Sequence, residues 1–159
     1  MVAIYVKEAT SEDAGAVAEM IARLKMLNEE LDPHFKTVSD LDVVVKKYVE
    51  EILASEDTRV LLALDAATGE PVGLLVLRKE DRIFYEPRYK AVITDFYVKP
   101  KYRRRRVGSI LLEKAIEHAK DLGAGIITVV YPAGNTIAET FYERAGFKDL
   151  QVEKYKPLY

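Results

Sequence analysis

Four consecutive arginines, Arg103, Arg104, Arg105 and Arg106, stand directly before Val107, Gly108 and Ser109 and the apolar run that begins at Ile110. Guanidinium groups form paired hydrogen bonds with phosphate oxygens, so the run is a candidate phosphate ligand. It heads the segment "RRRRVGSILLEKAIEHA", whose apolar residues recur at helical spacing. No Ser, Thr, Asp or Asn precedes that helix to cap it. Its first backbone N–H groups therefore lack acceptors, and the helix dipole adds positive charge where four cations already crowd. A phosphate at this end answers both defects. Gly108, having no Cβ, lets such an anion approach the backbone. A solvated basic loop and a nucleic-acid patch are the competing readings of the run alone.

Three further residues could carry chemistry. Asp95 interrupts the apolar stretch "AVITDFYV", where a carboxylate is disfavoured unless it is buried for a purpose. Tyr142 lies on the apolar face of a short helix with Ala138, Phe141 and Ala145. A buried phenol there is either a core ring or a positioned proton donor. Asn135 follows Gly134 in a turn, with its amide free to bond a ligand or merely to close the turn. His34 and His118 have no partner spacing, and the chain has no cysteine. No metal site, disulfide or thiol nucleophile is therefore expected.

The whole chain narrows these readings. Its 159 residues suit one domain, residues 1–159. The 24 Lys and Arg against 26 Asp and Glu give a net charge of -2, which argues against a protein whose main business is gripping nucleic acid. No apolar run approaches the roughly 20 residues of a membrane span, and the first residues do not read as a leader, so the cytoplasm is the expected compartment.

Periodicity supplies the secondary structure that carries these residues. Residues 2–7 read as a strand and 11–27 as a helix with Val17, Met20, Ile21, Leu24 and Leu27 on one face. Pro33 breaks the pattern, and a second helix is expected over 39–54. "RVLLALD" and "PVGLLVLRKE", joined by "AATGE", read as an antiparallel hairpin. "AVITDFYV" is the next strand, 107–122 a helix on Val107, Leu111, Ala115 and Ala119, and "IITVVY" a buried strand. Thr136 and Glu139 form a capping-box pattern ahead of the last helix. "FKDL" and "VEKYK" are candidate final strands. The order gives an α/β (α+β) fold, a mixed sheet of six to seven strands with helices on both faces.

The stretch 93–147, from "ITDFYV" through the arginine cradle to "GNTIAETFYERAGF", resembles the GNAT superfamily of N-acetyltransferases. That family's pyrophosphate signature reads Gln or Arg, two variable residues, Gly, one variable residue, then Gly or Ala. Here Arg103 to Gly108 fill it in order, with Arg106 where glycine is usual. The resemblance implies acetyl-CoA as cosubstrate, held between two splayed parallel strands. Phe96, Tyr97 and Val98 would pair with its pantetheine arm, residues 103–109 would hold its pyrophosphate, and Asn135 would bond near the sulfur. Tyr142 matches the family's general acid. "ITDFYV" is similar to a motif of polyamine-acetylating members, but Thr94 stands where their basic glutamate is. Deprotonation through water, assisted by Asp95 or another carboxylate, is then the expectation. A primary amine is the implied acceptor: a polyamine, another small-molecule amine, or a protein N-terminus or lysine. Glu29, Glu30, Asp32 and Glu86 are candidate pocket residues. No metal, membrane or specific nucleic-acid partner is implied, and a homodimer is left open. A non-catalytic acyl-CoA-binding module and, less favoured, a nucleic-acid-binding protein stay as alternatives.

Overall fold

The computed structural model describes residues 3–159. Within them five strands form one sheet in the order β1-β2-β3-β4-β5. These are β1 (Ile4–Glu8), β2 (Thr58–Asp65), β3 (Pro71–Asp81), β4 (Tyr89–Val98) and β5 (Ile126–Val129). The first four run antiparallel, and β5 lies parallel to β4. Helices α1 (Ala14–Leu31) and α2 (Leu41–Ala54) precede β2, α3 (Val107–Asp121) joins β4 to β5, and α4 (Thr136–Arg144) follows. The expected start of the first strand, at residue 2, lies outside the described residues.

Strand alternation puts a core on each face of the sheet. Leu61, Ala63, Leu75, Leu77, Ala91 and Ile93 pack with Val107, Leu111, Ala115 and Ala119 of α3. Val60, Leu62, Leu74 and Val76 pack with Val17, Met20 and Ile21 of α1 and Val45, Val49 and Ile52 of α2. Each large aliphatic side chain so enclosed contributes about 1.5–3 kcal/mol. Helices on both faces match the expectation. The strand count does not: residues 147–159 form no strand. In "FKDL" and "VEKYK" the apolar pairs Phe147 and Leu150, and Val152 and Tyr155, are three apart, so a strand would split each between two faces. Leu150, Val152 and Tyr155 are all more than half exposed.

Two irregularities of the sheet place the candidate residues. The β4–β5 ladder ends at Ile93↔Val129, while β4 runs on to Val98 along β3. Beyond that point the two parallel strands part. In the β3–β4 ladder Val76 pairs with Asp95 and the next residue, Leu77, with Ile93, leaving Thr94 as an extra residue in a bulge. The bulge shifts the alternation by one. Ala91 and Ile93 face α3 before it, whereas after it Phe96 and Val98 do. Asp95 and Tyr97 are thereby turned toward α1 and α2.

Gly73 on β3 sets how closely α3 approaches. A Cβ there would lie 3.0 Å from Leu111 Cδ1, 3.2 Å from Val107 Cγ1 and 3.3 Å from the Tyr97 carbonyl. A side chain there would press on the first turns of α3 where they settle on the sheet. No helix among the described residues is long and apolar enough to cross a membrane.

Candidate active site

The arginine run forms a turn between a 3₁₀ turn, Pro100–Tyr102, and the first residue of α3. Tyr102 anchors it. Its ring is buried, and its hydroxyl lies 3.1 Å from Asp65 Oδ2 and 3.2 Å from Glu70 Oε2 in the β2–β3 hairpin. Burial first, then the Asp65 hydrogen bond and the Glu70 charge, pushes the phenol up to about 12, so it stays a donor at neutral pH. Arg103 is extended and donates from Nε to the Val98 carbonyl at 3.2 Å. Arg104 and Arg106 take left-handed backbone conformations, φ 62° and 66°. That accounts for the glycine usual at the Arg106 position, since a side chain there costs roughly 1–2 kcal/mol.

Among the described residues, no N–H from 104 to 109 has a backbone or side-chain acceptor. All four arginines are exposed, and none joins a salt bridge among the described residues. Left-handed residues interspersed in a turn let successive N–H groups converge on an anion. Unneutralised guanidinium groups beside such free donors fit a phosphate ligand. Gly108 lies against two aromatic rings: a Cβ there would sit in ordinary contact with Phe141, 3.4 Å away, and Phe96, 3.6 Å away, so packing does not itself demand glycine.

Those two rings link the cradle to Tyr142. Phe96 packs edge-on to Phe141 at 5.6 Å and to Tyr142 at 6.2 Å. Tyr142 is itself stacked on Tyr131 at 5.6 Å and edged by Phe141 and Phe147 at 5.2 Å each. Such contacts contribute about 0.5–1.5 kcal/mol apiece and fix the ring. Its hydroxyl makes no hydrogen bond among the described residues. Burial, with a smaller contribution from Tyr131, holds the phenol well above its ordinary value.

Tyr142, Asn135, Asp95 and Phe96 line one cleft, where β4 and β5 part, together with Thr94 and Lys25. Its cavity volume is about 70 Å³. Asn135 is the N-cap of α4, accepting from the Ala138 N–H at 3.0 Å. The capping-box pattern pointed to Thr136, one residue later. Asn135 keeps its NH₂ for another partner. Tyr97 points into the opposite core and Val98 into the α3 core, so each offers the cleft only its backbone.

Asp95 is buried, at 2% exposure, and heavily used. Its carboxylate accepts from Lys25 Nζ at 2.7 Å, Tyr48 Oη at 2.6 Å and Thr94 Oγ1 at 3.0 Å. Burial and the neighbouring Asp95 charge raise the Tyr48 phenol far above its ordinary value, so it too stays a donor. Sequence reasoning missed Lys25, Tyr48 and Tyr131. Lys25 and Tyr48 sit on helix faces where Lys and Tyr are commonplace, and a buried Asp demanding donors was the one signal that pointed to them.

Glu29, Glu30, Asp32 and Glu86 do not line the cleft. Glu29 accepts from the Thr37 hydroxyl, and Asp32 caps the turn at His34, whose N–H holds its carboxyl below the usual range. Among the described residues no three His, Asp or Glu side chains gather as a metal site.

Comparison with known proteins bears on the family and the fold. The acetyltransferase (GNAT) family profile matches residues 23–147. An uncharacterized N-acetyltransferase of Methanocaldococcus jannaschii is 36% identical over 86 residues, 54% of this chain and 38% of that protein's length. The thialysine N-epsilon-acetyltransferase of Bos taurus is 28% identical across 94% of this chain and 87% of its own. Among solved structures, a transcriptional regulator from Bacillus halodurans C-125 superposes with a TM-score of 0.78 at 24% identity, covering 98% of this chain and 100% of that one.

Proposed function

The chain belongs to the GNAT acetyltransferase family, and from that premise we propose that it moves the acetyl group of acetyl-CoA onto a primary amine of a small molecule or protein. The observation that carries the reading is the opening between β4 and β5, with Tyr142 and Phe96 in its wall, and Phe96 in turn lies against Gly108 of the turn 104–109, whose N–H groups have no acceptor among the described residues. Residues 103–109 grip the pyrophosphate, the free edge of β4 at residues 96–98 pairs with the pantetheine arm, and the Asn135 amide bonds beside it. The neutral amine attacks the thioester carbon. A C–N bond forms, the C–S bond breaks, and the departing thiolate takes a proton from Tyr142. The bulge leaves Thr94 without a partner in the β3–β4 ladder, and a backbone N–H at the bulge is the donor assigned to the developing oxyanion in this reading.

Asp95 serves this reaction differently from the water-linked base expected of it. Three donors fill most of its roughly four acceptor sites. It is a positioning residue for Lys25 and the bulge, and the proton of the amine leaves to water in the open cleft.

A thermal-shift series tests the reading. Acetyl-CoA should raise the melting temperature by mass action, dephospho-CoA less and pantetheine less again. An oligonucleotide at physiological salt should do nothing. Equal shifts with pantetheine and acetyl-CoA would remove the phosphate cradle, and a shift with the oligonucleotide alone would favour the nucleic-acid alternative.

A further inference from the structure

We infer that the amine acceptor carries a carboxylate, remote from its reacting nitrogen, that docks on the Lys25 ammonium. The inference rests on the acetyl-transfer reading and names the acceptor class of the same cleft. Two charged side chains line that cleft, Lys25 and Asp95. They differ in what a ligand can reach: the Lys25 side chain is 38% exposed, the Asp95 side chain 0%. Asp95 is also spent on its three donors. An entering ammonium group therefore finds no free carboxylate, and the one exposed charged group it meets, the Lys25 ammonium, can only donate. Lys25 has three N–H bonds, one of which is directed at Asp95, and it makes no other hydrogen bond among the described residues. Its remaining donors are open to a ligand.

The acidic residues near the cleft supply no free carboxylate inside it. Glu139, Glu143 and Asp149 act on Tyr131, yet none of them lines the cleft. A polycation thus gains nothing on entry, whereas an ω-amino acid can pair its carboxylate with Lys25 while its amine lies on the Tyr142 side. Asp95, Tyr48 and Thr94 hold Lys25 in place for that contact. Lys25 acts on specificity, and its removal should change the choice of acceptor more than the chemical step.

The test compares three amines of one chain length: an ω-amino acid, an alkylamine and a diamine. Binding to the CoA-loaded protein is measured by calorimetry, and kcat/KM with acetyl-CoA. The ω-amino acid should be favoured over the diamine by about tenfold or more, the size of one charge-assisted hydrogen bond. Lys25→Arg should keep the preference. Lys25→Met alone strands a buried carboxylate and endangers folding, so the double variant Lys25→Met with Asp95→Asn removes both charges together, and in it the preference should vanish. A wild-type preference for the diamine, binding of none of the three, or a preference that survives in the double variant overturns the inference. Failure of acetyl-CoA itself to bind would overturn the acetyl-transfer reading and this inference with it; normal acetyl-CoA binding with the diamine preferred would overturn this inference alone.

Discussion

Replacing Tyr142 by Phe removes one oxygen from the centre of the proposed reaction and almost nothing from the fold. The ring keeps its contacts with Phe96, Tyr131, Phe141 and Phe147. The hydroxyl makes no hydrogen bond among the described residues, so stability should change by less than about 1 kcal/mol, the net worth of one such bond. Tyr142→Ala, by contrast, empties an aromatic cluster and should cost about 3–5 kcal/mol. In the proposed arrangement the phosphates are held at residues 103–109, away from Tyr142, so acetyl-CoA affinity should survive in the Phe variant.

Catalysis should not survive so well. A positioned general acid contributes about 10²- to 10⁴-fold. A thiolate leaves more readily than an alkoxide, which selects the low end, a loss near 10²-fold in kcat or about 2.7 kcal/mol of barrier. The assay is thiol release on an acceptor for which chemistry limits the rate, with calorimetric affinity for acetyl-CoA alongside. The pH profile adds a second reading. Burial raises the phenol above its ordinary value, so Tyr142 stays protonated through neutral pH and kcat should show no basic fall from its ionisation below about pH 10. An unchanged kcat in Tyr142→Phe would mean that water protonates the sulfur. Unfolding of that variant would assign Tyr142 to the core alone.

Other perturbations probe the frame around it. Gly73→Ala puts a Cβ against Leu111, Val107 and the Tyr97 carbonyl; it should cost about 1–3 kcal/mol by overpacking and weaken acetyl-CoA binding by lifting the start of α3, both readable by melting and calorimetry. Arg106→Gly relieves a left-handed backbone at φ 66°. Strain relief of roughly 1–2 kcal/mol outweighs about 0.4–1 kcal/mol of added chain entropy, so the melting temperature should hold or rise, and a fall would show that the strain is not there. Tyr102→Phe cuts the link to Asp65 and Glu70 and should loosen the cradle. Because the folded-state phenol sits near 12 and an unfolded one near 10, the wild type's advantage should be full below pH 10 and fade as pH rises through 12; an advantage that grows with alkali would contradict the assignment.

The apolar face of α3 could be read directly, because Val107, Leu111, Ala115 and Ala119 recur at one helical period and all are buried. The proposal of a cradle has a related origin: a helix start without a cap and with four like charges is locally inconsistent, and a bound anion would resolve it. The bulge at Thr94 left no such trace. It is a property of the β3–β4 register, and without it Asp95 would face the other core. Asp95's partners are similarly non-local, Lys25 being 70 and Tyr48 47 residues away in sequence. The final strands were over-read, since β-favouring residues make a strand only when their two-residue spacing gives them one face to bury. At α4, Asn135 and Thr136 were both suitable caps, and the side-chain geometry selected Asn135.

Whether the protein transfers acetyl from acetyl-CoA to a primary amine is decided by mixing it with acetyl-CoA and a panel of primary amines and following thiol release and product mass together. For at least one amine, thiol should be released in equal amount to an acetylated product and well above the rate without amine. Tight acetyl-CoA binding with no amine-dependent release across amino acids, polyamines, aminoglycosides and peptide N-termini would contradict acetyl transfer and leave a binding module in its place.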